Sequence, residues 1–228
     1  MSILRNILGI IFTFSLMIIL LISSVEVVAY YIPGYYRYEY TKYSSNEKVG
    51  MNMDELLRIS NEMMDYLRGK REKLSDISAT IKGRPDVLFF NEKEAAHMKD
   101  VRNLFIAAIY LRRILLISCI LILTVIKLSG GSLKKILPRS LLIGSGIFFA
   151  LFICLGGIIA SNFSKYFIVF HQIFFNNDLW ILDPATDNLI NIVPEGFFFE
   201  TARNIAIIYA VFAAAVIVSA ILLRRKYK

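Results

Sequence analysis

Four long apolar runs divide the chain: Ile7 to Tyr31, Leu104 to Ile126, Leu141 to Ala160 and Ile205 to Leu223. A helix of about 20 residues crosses a hydrocarbon core, so each run is long enough to span. Each is apolar nearly all round, which suits lipid better than one face of a soluble core. The pattern predicts transmembrane helices over 1–31, 104–126, 141–160 and 205–223, with small residues in the third and fourth (Gly144, Gly146, Gly156, Gly157; Ala210, Ala213, Ala214, Ala215) that permit close helix approach. The first run is longer than a usual signal-peptide core and no A-x-A site follows it, so it is expected to remain as a membrane helix.

The polar stretches carry shorter patterns. Tyr35 to Thr41 (Y-Y-R-Y-E-Y-T) alternates and is aromatic, which predicts a short strand or an interfacial aromatic belt. Asn52 to Leu67 predicts an amphipathic helix with Asn52 and Glu55 as a capping pair and Gly69 at its stop. Residues 70–85 are mostly polar, and Gly83-Arg84-Pro85 marks a turn. A second Asn-x-x-Glu cap, Asn91 to Glu94, runs without a break into the second apolar run. Phe163 to Phe175 predicts a partly buried or interfacial helix. Leu179 to Leu182 and Leu189 to Val193 predict two short strands around the turn 183–187.

Composition agrees with a membrane protein. Hydrophobic residues make up 57% of the 228, against roughly 45–50% in soluble domains. The net charge of +8 sorts by loop. Lys127, Lys134, Lys135 and Arg139 lie between the second and third runs. Arg224, Arg225, Lys226 and Lys228 end the chain, and Arg5 starts it. Such clusters belong on the cytoplasmic side. Loop 127–140, tail 224–228 and both termini are therefore expected inside, and loops 32–103 and 161–204 outside. The basic balance is a topology signal, and nothing resembles a nucleic-acid module. The fold expected is membrane all-α: four transmembrane helices with a small mixed extracellular cap built from the two outer loops.

Candidate chemistry is sparse. Cys119 and Cys154 fall inside predicted membrane helices and suit packing. There is no G-x-S-x-G, H-E-x-x-H, P-loop or dinucleotide fingerprint. The chain has two histidines, each in an outer loop beside a membrane boundary. Glu94, His97 and Asp100 share one helix side at i, i+3 and i+6. A histidine flanked by carboxylates has the parts of a base and its orienting partner. From spacing alone, an exposed histidine on a solvated helix end is the commoner arrangement. His171 lies in an aromatic stretch followed by four acids, Asp178, Asp183, Asp187 and Glu195. A metal site from His97, His171 and the loop acids lacks any local spacing motif, and no metal is expected.

Two segments carry a resemblance. F-x-x-x-E-x-x-H-M-x-D-V (Phe90 to Val101) and F-H-x-x-F-F-x-N-D-x-W-x-L-D-P-x-T-D-x-L-I-x-x-x-P-E-x-F-F (Phe170 to Phe198) resemble the lipoprotein intramolecular transacylase (Lit) family, small integral membrane proteins of Gram-positive bacteria. The layout agrees over essentially the whole chain. The resemblance implies transfer of the sn-2 acyl chain of a diacylglyceryl lipoprotein to the amine of its N-terminal cysteine, giving the lyso form. It implies His97 and His171 as the catalytic pair, an active site at the outer face of the cell membrane, and no cofactor. Partners are lipoproteins and membrane lipid, and a monomer is expected.

Softer assignments follow. Glu94, Asp100, Asp178 or Asp183 would orient an imidazole, as carboxylates do in triads. Arg112 and Arg113 lie within an apolar run, where charge is costly. They read either as an interior ion pair, with Glu26 a possible partner, or as contacts to a substrate carbonyl. Trp180 and its neighbouring phenylalanines read as a wall near acyl chains. Two other classes stay open. One is a non-enzymatic membrane sensor or assembly factor, which the residues without the resemblance favour. The other is a metal-dependent membrane hydrolase.

Overall fold

The computed structural model describes residues 2–227. In chain order its elements are α1 (Ser2–Glu26, continued by a π-helical turn Val27–Tyr31), α2 (Tyr35–Lys42), α3 (Ser45–Val49), α4 (Met53–Leu67), β1 (Ser78–Ile81), β2 (Arg84–Leu88), α5 (Glu92–Leu128), α6 (Leu133–Ser161), α7 (Phe163–Phe174), α8 (Asn188–Ile192) and α9 (Glu195–Lys226). Four helices, Ser2–Tyr31, α5, α6 and α9, are long and apolar enough to cross a membrane. At most a third of the most apolar stretch of each is buried within the protein. Exposed side chains such as Leu111, Ile114, Ile120, Leu151, Val211 and Leu222 therefore need an apolar surrounding, which lipid supplies.

The chain forms two compact units. One holds the residues up to Val27, Ile109–Asn162 and those from Asn204 on. Here α1 meets α6 through small residues. Gly9 faces Ser140, and a Cβ added at Gly144 would lie 2.8 Å from the Thr13 methyl. This small-xxx-small spacing on both helices (9 and 13, 140 and 144) brings the backbones together. Met17, Tyr209 and Ala213 form the buried centre, packed by Leu16, Leu20, Phe148 and Phe152. Arg112 pairs with Glu26. Arg113 is exposed, its guanidinium 5.7 Å from the Tyr110 ring centre.

The other unit comprises Val28–Ala108 and Phe163–Arg203, so the two long polar segments fold together. Helix α4 forms as its pattern predicts. The Asn52 side chain accepts from the Asp54 amide, and Leu56, Ile59, Met63 and Leu67 are buried. Complete burial of Leu56 and Ile59 contributes roughly 1.5–3 kcal/mol each. Glu55 does not close the capping box; it accepts the Thr80 amide instead, at 2.9 Å.

Three predicted details are corrected here. Tyr35 to Thr41 is helical, because that geometry buries Tyr35, Glu39 and Tyr40 on one side, with Tyr40 bonded to Ser60 at 2.6 Å. The turn expected at Gly83-Arg84-Pro85 lies one residue earlier, at Lys82-Gly83: Arg84 and Pro85 already belong to β2, which pairs with β1 in an antiparallel hairpin. Lys82 and Gly83, both at positive φ (51° and 76°), make its turn, in the manner of tight hairpin turns that favour left-handed residues. Leu179–Leu182 and Leu189–Val193 are not strands. The first is irregular and the second is mostly the single helical turn α8, which buries Leu189 and Ile192.

Candidate active site

Helix α5 begins with a complete capping box. Asn91 Oδ1 accepts the Glu94 amide at 2.9 Å, and Glu94 Oε2 accepts the Asn91 amide at 2.8 Å. This fixes the first turn, and one turn later the helix presents His97. The imidazole is buried at 6% exposure. Its Nδ1 has no hydrogen-bond partner among the described residues, and Phe175 meets the ring edge-on at 5.3 Å between centres.

Helix α7 supplies the second imidazole. His171 is 8% exposed, and its Nδ1 lies 2.6 Å from the Phe167 carbonyl oxygen. A carbonyl only accepts, so Nδ1 carries the proton and Nε2 of the neutral ring keeps its lone pair. Around the ring stand Phe167 (4.5 Å), Phe175 (5.6 Å) and Trp180, stacked at 4.9 Å and 30°. The His97 and His171 ring centres are 6.0 Å apart, although 74 positions separate them in sequence.

Both imidazoles are held neutral. Burial pushes His97 down to about 4; His171 adds to this and Asp100 opposes it. Burial also lowers His171, partly offset by its bond to the Phe167 carbonyl. The charged form is disfavoured because an aromatic enclosure solvates it poorly.

The four sequence-predicted carboxylates do different work. Glu94 is fully buried. Besides the cap, its Oε1 accepts the Leu189 amide at 2.6 Å, so it ties α5 to α8. Burial raises it despite these amides. Asp100 accepts from Asn177 at 3.0 Å and is the one of the four whose charge acts on His97. Asp183 accepts the Ala185 amide in its own turn. Asp178 is exposed, and its backbone carbonyl closes a turn with Ile181 at 3.1 Å. The ties between the two segments also use residues that carried no predicted role in the site. Asp187, 3% exposed, accepts from Asn91 at 2.7 Å and from the Asp183 amide at 2.8 Å. Asn188 donates to the Phe89 carbonyl at 2.7 Å. Asn91 was legible as a cap, but its second bond joins positions 96 apart and leaves no local signal.

Residues 10–198 match the family model of the lipoprotein intramolecular transacylase Lit. The chain belongs to the Lit family. The matched span includes both histidines and every segment that holds them. Lit proteins are enzymes, and this chain is accordingly a membrane enzyme of that family. The solved structure of Lit from Bacillus cereus superposes with a TM-score of 0.80 at 20% identity, over 99% of this chain and 98% of that one. A histidine-to-alanine variant of that Lit gives 0.76 at 21% identity, over 99% and 96%. These likenesses establish the fold. An uncharacterized protein from Aquifex aeolicus is 29% identical over 137 residues, 58% of this chain; the match spans 57% of that relative's length.

Proposed function

We propose that this enzyme moves the sn-2 acyl chain of a diacylglyceryl lipoprotein to the α-amine of the same molecule's N-terminal cysteine, at the outer face of the membrane. The observation that carries this reading is the pair of buried, neutral imidazoles 6.0 Å apart. Support for the substrate comes from the family, whose name is that of a lipoprotein transacylase. Support for the side comes from the basic clusters of loop 127–140 and the C-terminal tail, which belong to the cytoplasm.

The chemistry suits the site. An α-amine has a pKa near 8, so it is largely cationic at neutral pH and must reach the site deprotonated. It then attacks the ester carbonyl through a ring of about eight atoms, and holding that ring in a reactive shape lowers the barrier substantially. The new N–C bond makes the nitrogen acidic. The Nε2 lone pair of His171 takes that proton, because the Phe167 carbonyl occupies the other nitrogen. When the ester C–O bond breaks, an imidazolium returns one proton to the glyceryl oxygen. The products are an amide and a free sn-2 hydroxyl, with no water or cofactor consumed. His97, whose ring centre is 6.0 Å from that of His171, stabilises the carbonyl oxygen or relays the proton in this reading. Asp100 steadies its positive form, and the aromatic wall of Phe167, Phe175 and Trp180 fits acyl chains.

The test is mass spectrometry of one lipoprotein's N-terminal peptide in a host lacking other N-acylating activity. The intact enzyme should yield N-acyl, lyso-glyceryl cysteine, and His97→Ala or His171→Ala should leave diacylglyceryl cysteine. An unchanged lipid form with well-expressed intact protein would sink the proposal.

A further inference from the structure

The Trp180 indole covers one face of His171 at 4.9 Å and 30°. Stacked contact with a reacting ring is an unusual place for a residue that only lines an acyl-chain wall. A histidine that accepts a proton changes from a neutral ring to a cation, and an aromatic face within about 6 Å attracts the cation and not the neutral form. Indole does this best among the aromatic side chains. The Phe167 carbonyl acts in the same sense, because its bond to Nδ1–H strengthens when the ring becomes positive.

The geometry points to Trp180 as the residue that stabilises the His171 imidazolium during acyl transfer. This rests on the transacylase reading above and on His171 as proton acceptor. Trp180 takes no proton itself; it acts through the His171 ring it stacks on and is a positioning residue. The energetic logic is differential. Burial holds the resting imidazole neutral and ready to accept, and the indole face lowers the energy of the charged ring that exists only once the amine proton has moved. The proton passes from the amine nitrogen to Nε2 and then to the glyceryl oxygen, so the indole contributes across both steps and is unchanged at the end. The titratable group facing His171 from α5 is His97, on which Asp100 also acts. The remaining neighbours, Phe167, Phe170, Phe175 and Trp180, are uncharged.

The experiment compares full-length Trp180→Phe and Trp180→Leu in detergent micelles. The first keeps an aromatic face; the second keeps apolar bulk without one. Two readouts are taken. One is the His171 titration by NMR, which is resolvable because the chain has two histidines and a His97→Gln version identifies the remaining signal. The other is the kcat and KM of acyl transfer to a synthetic diacylglyceryl lipopeptide. Trp180→Leu should lower the His171 pKa further and cut kcat by about three- to thirty-fold, a larger change than its effect on KM. Trp180→Phe should fall between it and the parent on both measures. Equal kcat for the two variants, or a His171 pKa unchanged or raised by Trp180→Leu, would overturn the inference. Failure of the transacylase reading is distinct: the parent enzyme itself would then transfer no acyl group, whatever the titration gave.

Discussion

Glu94 accepts the backbone amide of Leu189 at 2.6 Å across 95 positions of sequence. The same carboxylate closes the cap of α5 through the Asn91 amide. A residue one turn from His97 thus binds the segment that follows His171. Its burial is tolerated because two amides solvate it in place of water.

Removing that carboxylate should therefore cost stability. Glu94→Ala leaves the Leu189 and Asn91 amides without their acceptor, at about 1–3 kcal/mol for each one left unpaired. Glu94→Gln retains one acceptor oxygen and should cost about half as much. Thermal unfolding in detergent measures the loss, and hydrogen exchange at the Leu189 amide should speed up in the alanine variant. A Glu94→Ala protein as stable as the parent would remove Glu94 from this account.

Stability should also fall on acidification. His97 has a folded pKa of about 4, below its unfolded value of about 6.5, so the unfolded chain binds the proton first. The neutral ring's contribution is complete above pH 6.5 and is lost as pH falls from 6.5 toward 4. By pH 5 the loss reaches about 2 kcal/mol. His171 is lowered as well and adds in the same direction. His97→Gln cannot titrate, so its unfolding midpoint should drop less between pH 7 and pH 5 than the parent's. Parallel drops in the two proteins would contradict the lowered pKa.

The pairing of Arg112 with Glu26 gives a third test. In an apolar segment a charge stripped of its counter-ion is expensive. Glu26→Gln should destabilise the protein by about 3 kcal/mol, and combining it with Arg112→Met should restore most of that. The double variant should keep its transfer activity, because the pair is structural. An inactive but stable double variant would return Arg112 to the substrate.

What could be read from sequence divides by the range of the interactions. Helix α4 and the Asn91–Glu94 cap were legible because periodicity and capping act within a few residues. The hairpin was hidden: Ala79 and Ile81 are its only buried strand residues, Pro85 argued against a strand, and its turn is Lys82-Gly83 rather than a common hairpin pair. Tyr35 to Thr41 misled because an aromatic alternation also serves a helix that buries Tyr35, Glu39 and Tyr40. Leu189 to Val193 misled because four apolar residues around Asn191 fit a buried helical turn as well as a strand. Two histidines beside membrane boundaries were visible as candidates, but their separation of 6.0 Å depends on Glu94, Asp187, Asn177 and Asn188. Those contacts are long-range, and no local pattern encodes them.

For the acyl transfer proposed above, the enclosure of the two imidazoles bears on which nucleophile wins. An activated ester has two acceptors to choose from, a tethered amine and the solvent, and bulk water is by far the more abundant. At exposures of 6% for His97 and 8% for His171, with phenylalanine and tryptophan rings as neighbours, hydrolysis is starved of its reagent while an amine carried on the substrate arrives with the ester. The partition ratio between amide formation and wasteful deacylation is then set by the rings that keep the pair dry, and a leak there would squander acyl chains before it slowed their release.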